Sequence, residues 1–214
     1  MRRISIAIMA LIFLMLAIPP ITAQGGVGLR LFGGGTKIAA GDFAAALNGG
    51  TESESSSLLV GIGIYAGSGQ IEYSLSWYNF QLESSTTGST PSRGSSNQFM
   101  LHLAIRPLEL GRSTGIAVLC GFAVGVGESE ATLAGQRFSG FVLQPEIVMD
   151  LPLTSSEEGT ERDGKFYPRT ILSLDIRIGM RSATLSKTYE EDGPQLDWSG
   201  AYCSIGLSFY FNPR

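Results

Sequence analysis

The chain has 214 residues, a net charge of −4 and 16% charged residues, well under the roughly 25% of an average soluble domain. Its 28 glycines disfavour a helix-rich architecture, because an interior Gly costs a helix about 1 kcal/mol. Its single histidine excludes sites built on two or more His ligands, and the acidic balance argues against nucleic acid as a partner, which would need a basic patch.

The first element is an address. Arg2 and Arg3 form a positive start, Ile4 to Ile18 is apolar except for Ser5, and Pro19-Pro20 ends the run. Ala23 then offers a small residue at a cleavage point, which reads as a removed secretory signal over 1–23. The run falls short of the ~20 residues of a spanning helix. Residues 24–214 are expected to form one domain, and no later run is long enough for a helix to span a membrane.

Eight segments with a period of two follow. The first sets Val27, Leu29 and Leu31 opposite Gly28, Arg30 and Phe32. The second sets Leu58, Val60, Ile62 and Ile64 opposite Gly61, Gly63 and Tyr65; the third sets Ile71, Tyr73, Leu75 and Trp77 opposite Glu72, Ser74 and Ser76. In the fourth, Phe99, Leu101, Leu103 and Ile105 alternate with Gln98, Met100, His102, Ala104 and Arg106. In the fifth, Ile116, Val118, Cys120, Phe122, Val124 and Val126 alternate with Ala117, Leu119, Gly121, Ala123, Gly125 and Gly127, whose small side chains leave room for long ones from across the barrel. The sixth has Phe141, Leu143, Ile147, Met149 and Leu151 opposite Gln144, Glu146 and Asp150. The seventh has Leu172, Leu174, Ile176, Ile178 and Met180 opposite Ser173, Asp175, Arg177, Gly179 and Arg181. The eighth has Ala201, Cys203, Ile205, Leu207, Phe209 and Phe211 opposite Trp198, Gly200, Tyr202, Ser204, Gly206, Ser208 and Tyr210.

Side chains alternate across a strand, so each segment has one greasy and one polar face. A polar face turned to water would carry Lys and Glu. This one carries Gly, Ser, Tyr and a few charges, with no Lys, which suits a crowded interior. The apolar face runs uncharged from Leu172 to Met180, close to the ~9–11 tilted residues needed to cross hydrocarbon. The expected fold is all-β: a closed antiparallel up-and-down transmembrane β-barrel of eight strands, apolar face to lipid and polar face to lumen. A soluble lipocalin-like carrier is the inverted alternative, with Leu174, Ile176 and Ile205 inside.

Gly67-Ser68-Gly69 reads as a tight turn, residues 84–96 and 186–196 as loops, and Gly33-Gly34-Gly35-Thr36-Lys37 as the start of a long connection over 35–56. Within that connection Asp42 to Leu47 suits a helical turn. Pro145 stands mid-strand on the lipid side, where a bulge is the expected remedy. The acidic connection 152–168 is long for a turn on the side of the chain termini, and it leaves room for two more strands.

The final segment carries a motif. Ser204-x-Gly206-x-x-Phe209-x-Phe211 resembles the signal by which outer-membrane barrels are recognised for insertion. Asn212-Pro213-Arg214 follow the last aromatic, a departure from many bacterial members. Over 24–214 the chain resembles, in pattern and length, the small eight-stranded outer-membrane barrels of the OmpX/OmpA type. The resemblance implies a bacterial outer membrane of Gram-negative type, with its lipid and lipopolysaccharide as surroundings. It also implies insertion by the barrel-assembly machinery, a monomer, and no enzymatic activity.

The lumen face holds Arg30, Glu72, His102, Arg106, Glu146, Asp150, Asp175, Arg177 and Arg181. Eight strands enclose a space just wide enough for side chains, and buried charges must be paired. A salt-bridged filling is expected, with Glu146 near Arg177 and Glu72 near Arg106 on neighbouring strands. A narrow pore or facilitator lined by these charges is the alternative. His102 invites a lipid-modifying enzyme, but no serine is expected at short strand spacing beside it. Cys120 and Cys203 are expected to be free, outward thiols. The acidic runs Glu157-Glu158 and Glu190-Glu191-Asp192 lack an EF-hand pattern, and no catalytic residue, metal site or cofactor is expected. Tyr73, Trp77, Phe209 and Phe211 suit an aromatic belt.

Overall fold

A computed structural model describes residues 26–38, 55–67, 71–84, 92–110, 118–133, 135–162, 165–187 and 195–211. The strands are β1 (Gly26–Ile38), β2 (Ser55–Gly67), β3 (Ile71–Ser84), β4 (Ser92–Leu110), β5 (Val118–Leu133), β6 (Gln136–Ser155), β7 (Gly159–Arg162), β8 (Lys165–Pro168), β9 (Thr170–Lys187), β10 (Gln195–Asp197) and β11 (Gly200–Phe211). Each long strand pairs antiparallel with the next long strand, and β11 returns to β1, with Val27 opposite Phe211 and Ile38 opposite Gly200. The result is a closed barrel of eight strands, as the period of two predicts. Below, the near end is the one holding Gly26 and Phe211, and the far end is the opposite rim.

The direction of the apolar side chains settles what surrounds it. Ile178 is 54% exposed, Leu207 50% and Val124 47%. Opposite them on the same strands, Arg177, Ser208 and Ala123 are buried. A carrier with a greasy centre would show the reverse. An outward belt of Leu, Ile, Val and Phe is unfavourable against water at ~25 cal/mol per Å² and neutral against acyl chains. Closure leaves no strand edge unpaired, which is the condition for a sheet to cross hydrocarbon. This is a transmembrane β-barrel. Among the described residues no helix is long and apolar enough to cross a membrane.

The strands outrun their apolar belts. β1 continues through Gly33 to Ile38, pairing with Gly200 to Ile205, so the glycine run is strand and not loop. Its Thr36 points inward and donates to the Ala201 carbonyl at 2.7 Å. β4 begins at Ser92, inside the stretch expected to be loop, and pairs there with the end of β3. The β5–β6 connection turns at Gly135, whose φ is +77°, a left-handed conformation that favours glycine.

Pro145 needs no bulge. It donates nothing to β9, and the β6–β9 pairing lapses at Gln144 and Pro145, yet Leu143 opposite Ser182 and Glu146 opposite Gly179 keep one register. The irregularities fall elsewhere, between Ile105 and Leu108 beside Pro107, and between Pro152 and Thr154. The long acidic connection adds no barrel strand. It makes a separate hairpin, β7 on β8, in its own two-stranded sheet. The helical turn expected at Asp42–Leu47, the signal segment 1–23 and the acidic run 190–192 lie outside the described residues.

Inside, the barrel is layered. The far half holds an apolar cluster including Leu59, Phe80, Phe138, Leu185, Leu196 and Trp198. The near half holds a small one of Ala104, Ala123 and Val148. Charged side chains occupy the space between and beside them.

Candidate functional site

The inward positions of five strands converge on one ion cluster. Arg30 on β1 donates from both Nη atoms to the two oxygens of Glu72 on β3, at 3.0 and 2.9 Å. The pair spans β2, where Gly63 lies opposite Arg30 and Gly67 opposite Glu72. Arg106 on β4 reaches the same carboxylate at 2.7 Å. Arg177 on β9 donates to Asp175 at 2.8 Å, to Glu146 on β6 at 3.1 Å and to Glu72 at 3.1 Å. Arg30 also stands 3.2 Å from Asp175. Three guanidinium groups thus share three carboxylates, and all six side chains are at most 4% exposed.

Such a cluster persists only because every charge meets an opposite one. Each ion costs several kcal/mol to desolvate, and the mutual attraction in a poorly screened interior offsets that only with close contact. Arg30 also lies over the Tyr65 ring, 4.7 Å from its centroid, a cation–π contact.

His102 sits at the edge of the cluster. The Tyr78 hydroxyl and His102 Nε2 share a hydrogen bond of 2.9 Å, and His102 Nδ1 is 3.7 Å from Glu146 Oε2. Gln144 donates to the other Glu146 oxygen. The ring rests over Gly125, where a β-carbon would lie 2.7 Å from it. The nearest side chains on the glycine-lined face of β5 are His102 and Met100, from its neighbour β4. Ser74 stands directly opposite His102 in the β3–β4 register, a neighbour that spacing along β4 alone does not reveal. Its Oγ makes no hydrogen bond, and His102 Nε2 is engaged by Tyr78, so no nucleophile–base pair is formed. Among the described residues no group of three or more His, Cys, Asp or Glu is arranged to hold a metal ion.

Two of the nine lumen residues stand apart. Asp150 lies near the near end, opposite Asp175, with Ser173 and Arg106 as its polar neighbours. Arg181 lies in the far layer among aromatic rings. The C-terminal motif divides by face. Ser204 is buried and shares a 2.7 Å hydrogen bond with Tyr202, while Gly206 packs under Phe32, where a β-carbon would be 2.7 Å from that residue's own. Phe209 is outward and exposed, and Phe211 lies at the near rim under Arg169, 5.5 Å from guanidinium to ring centroid. Cys120 and Cys203 are free thiols, three strands apart.

No family model matches the chain, and no curated protein matches it. Among solved structures it is similar to the outer membrane protein OprG from Pseudomonas aeruginosa, with 11% identity over 89% of this chain and 98% of that one, at a TM-score of 0.49. It is similar to Neisserial surface protein A, with 5% identity over 88% and 97% and a TM-score of 0.45. The translocator domain of autotransporter NalP from Neisseria meningitidis shares 12% identity over 98% and 76%, at 0.30. These are likenesses of form and assign no role.

Tyr78, Trp198 and Gln144 build the interior without being among the charged residues singled out from sequence. Tyr78 was hidden because Asn79, on the outward face, ends the apolar alternation of the third segment one residue past it. The signal was there in the aromatic period Tyr78, Phe80. Trp198 falls on the inward face by the alternation of the eighth segment, and it is buried there although it lies before the last strand; its backbone N–H donates to the Ala183 carbonyl at 2.7 Å.

Proposed function

We propose that this chain is a non-enzymatic outer-membrane β-barrel with a structural or surface-interaction role, of the OmpX/OmpA type. It is exported by residues 1–23, inserted by the barrel-assembly machinery through Ser204, Gly206, Phe209 and Phe211, and held as a monomer among outer-membrane lipid and lipopolysaccharide. The observation that carries this reading is the contact between Arg177 and Glu72. β9 and β3 are opposite strands of the barrel, so a 3.1 Å ion pair between them spans the lumen. With Arg30, Arg106, Glu146 and Asp175 around it, the cross-section is occupied by side chains that cannot part without leaving buried charges unpaired.

Planar-bilayer recording tests this. The purified barrel is expected to raise no discrete conductance steps under applied voltage. Reproducible steps that change when Glu72 or Arg177 is substituted would replace the filled barrel with a narrow pore.

A further inference from the structure

Arg181 is the buried guanidinium without a carboxylate. It is 1% exposed, and among the described residues no Asp or Glu lies within ion-pair distance of it. Its Nε donates to the Trp198 carbonyl at 2.9 Å and its Nη2 reaches Thr36 Oγ1 at 3.4 Å. Its plane is held by rings, 4.6 Å from the Phe80 centroid and 5.4 Å from that of Trp198. Its Nη1 donates to nothing, and neither does the indole Nε1 of Trp198, which is 0% exposed. The contrast with Arg30, Arg106 and Arg177, each on a carboxylate, is sharp.

A charge and two N–H donors left without acceptors in an apolar layer are costly, the charge most of all. The same three features together describe a receptor for an anion. Among the buried residues described in that layer Arg181 is the one cation, which suits a singly charged anion. Phe80, Leu185, Leu196 and Trp198 form its walls, so the anion has an apolar part.

We propose that the Arg181–Trp198 corner in the far half of the barrel binds a small organic carboxylate, whose oxygens accept from Arg181 Nη1 and Trp198 Nε1. The site lies on the far side of the ion cluster, so it stands whether or not the lumen conducts.

The test uses the indole itself. The chain has two tryptophans, so Trp77→Phe leaves Trp198 as sole reporter in the full-length barrel folded in zwitterionic micelles. Acetate and butyrate, titrated against chloride at constant ionic strength, are expected to give a saturable change in emission, with butyrate the tighter. Arg181→Gln in that background is expected to weaken binding roughly tenfold or more, the loss of one charge-assisted contact. A second measurement needs no variant at the site: saturating butyrate is expected to raise the thermal unfolding midpoint of the unsubstituted barrel, by linkage. Absence of a saturable change, an unaltered curve in Arg181→Gln, equal binding of chloride, or no rise in the midpoint would each overturn the proposal.

Discussion

Glu72 is where the interior is most sensitive. It accepts from Arg30, Arg106 and Arg177, so Glu72→Gln keeps the volume but leaves three buried cations on two remaining carboxylates. Breaking a buried ion pair from one side typically costs 3–5 kcal/mol. A loss of about that size is expected in urea unfolding of the micelle-folded barrel, and a change below ~1 kcal/mol would mean the cluster is hydrated and not close-packed. At this scale the sequence was half legible. A period of two places Glu72, Arg106, Glu146 and Arg177 on one face, and neighbouring strands bring Glu72 within 2.7 Å of Arg106 and Glu146 within 3.1 Å of Arg177. The Arg30–Glu72 and Arg177–Glu72 contacts were not legible. One skips β2 and the other crosses the lumen, and both depend on the diameter of a cylinder that no local pattern encodes.

Among elements, the β5–β6 turn offers the cleanest test. A β-carbon added to Gly135 would meet open space, yet its φ is +77°. Any penalty is therefore a backbone penalty. Gly135→Ala is expected to lower stability by about 1 kcal/mol, and Gly135→Asn by less, because Asn tolerates the left-handed region better. Equal stability of both variants and the parent would show that the turn changes shape. Strand centres were readable because lipid-facing Leu, Ile, Val and Phe alternate with small or polar residues. Strand ends were not. Past the belt both faces are polar or glycine, as in Gly33-Gly34-Gly35 and Ser92 to Ser96, and alternation has nothing to alternate. There the ladder hydrogen bonds of an already closed sheet extend the strands. The same closure explains Pro145: with register pinned on either side at Leu143 and Glu146, a missing donor opens a local lapse and shifts nothing.

For the whole molecule, the central quantity is the direction of the belt. Cys203 is free and exposed on that belt, between Ala201 and Ile205. A nitroxide attached there, after Cys120→Ala, is expected to be far more accessible to oxygen than to a water-soluble nickel complex in bilayers. Higher accessibility to nickel would turn the barrel inside out. Fold class was legible from the absence of Lys on the polar faces, since a charge-poor second face has no reason to meet water. The connection at 152–168 was not. Its length suited two further strands, but the hairpin it forms pairs only with itself.

The pairing of β1 with β11 joins positions near opposite ends of the sequence, Val27 against Phe211. Until it forms, the sheet keeps two raw margins, and oil offers neither of them a donor or an acceptor. Entry into a bilayer is therefore all or none. A chain stopped short of Gly200 does not make a weaker cylinder; it makes an open ribbon with no place to lie.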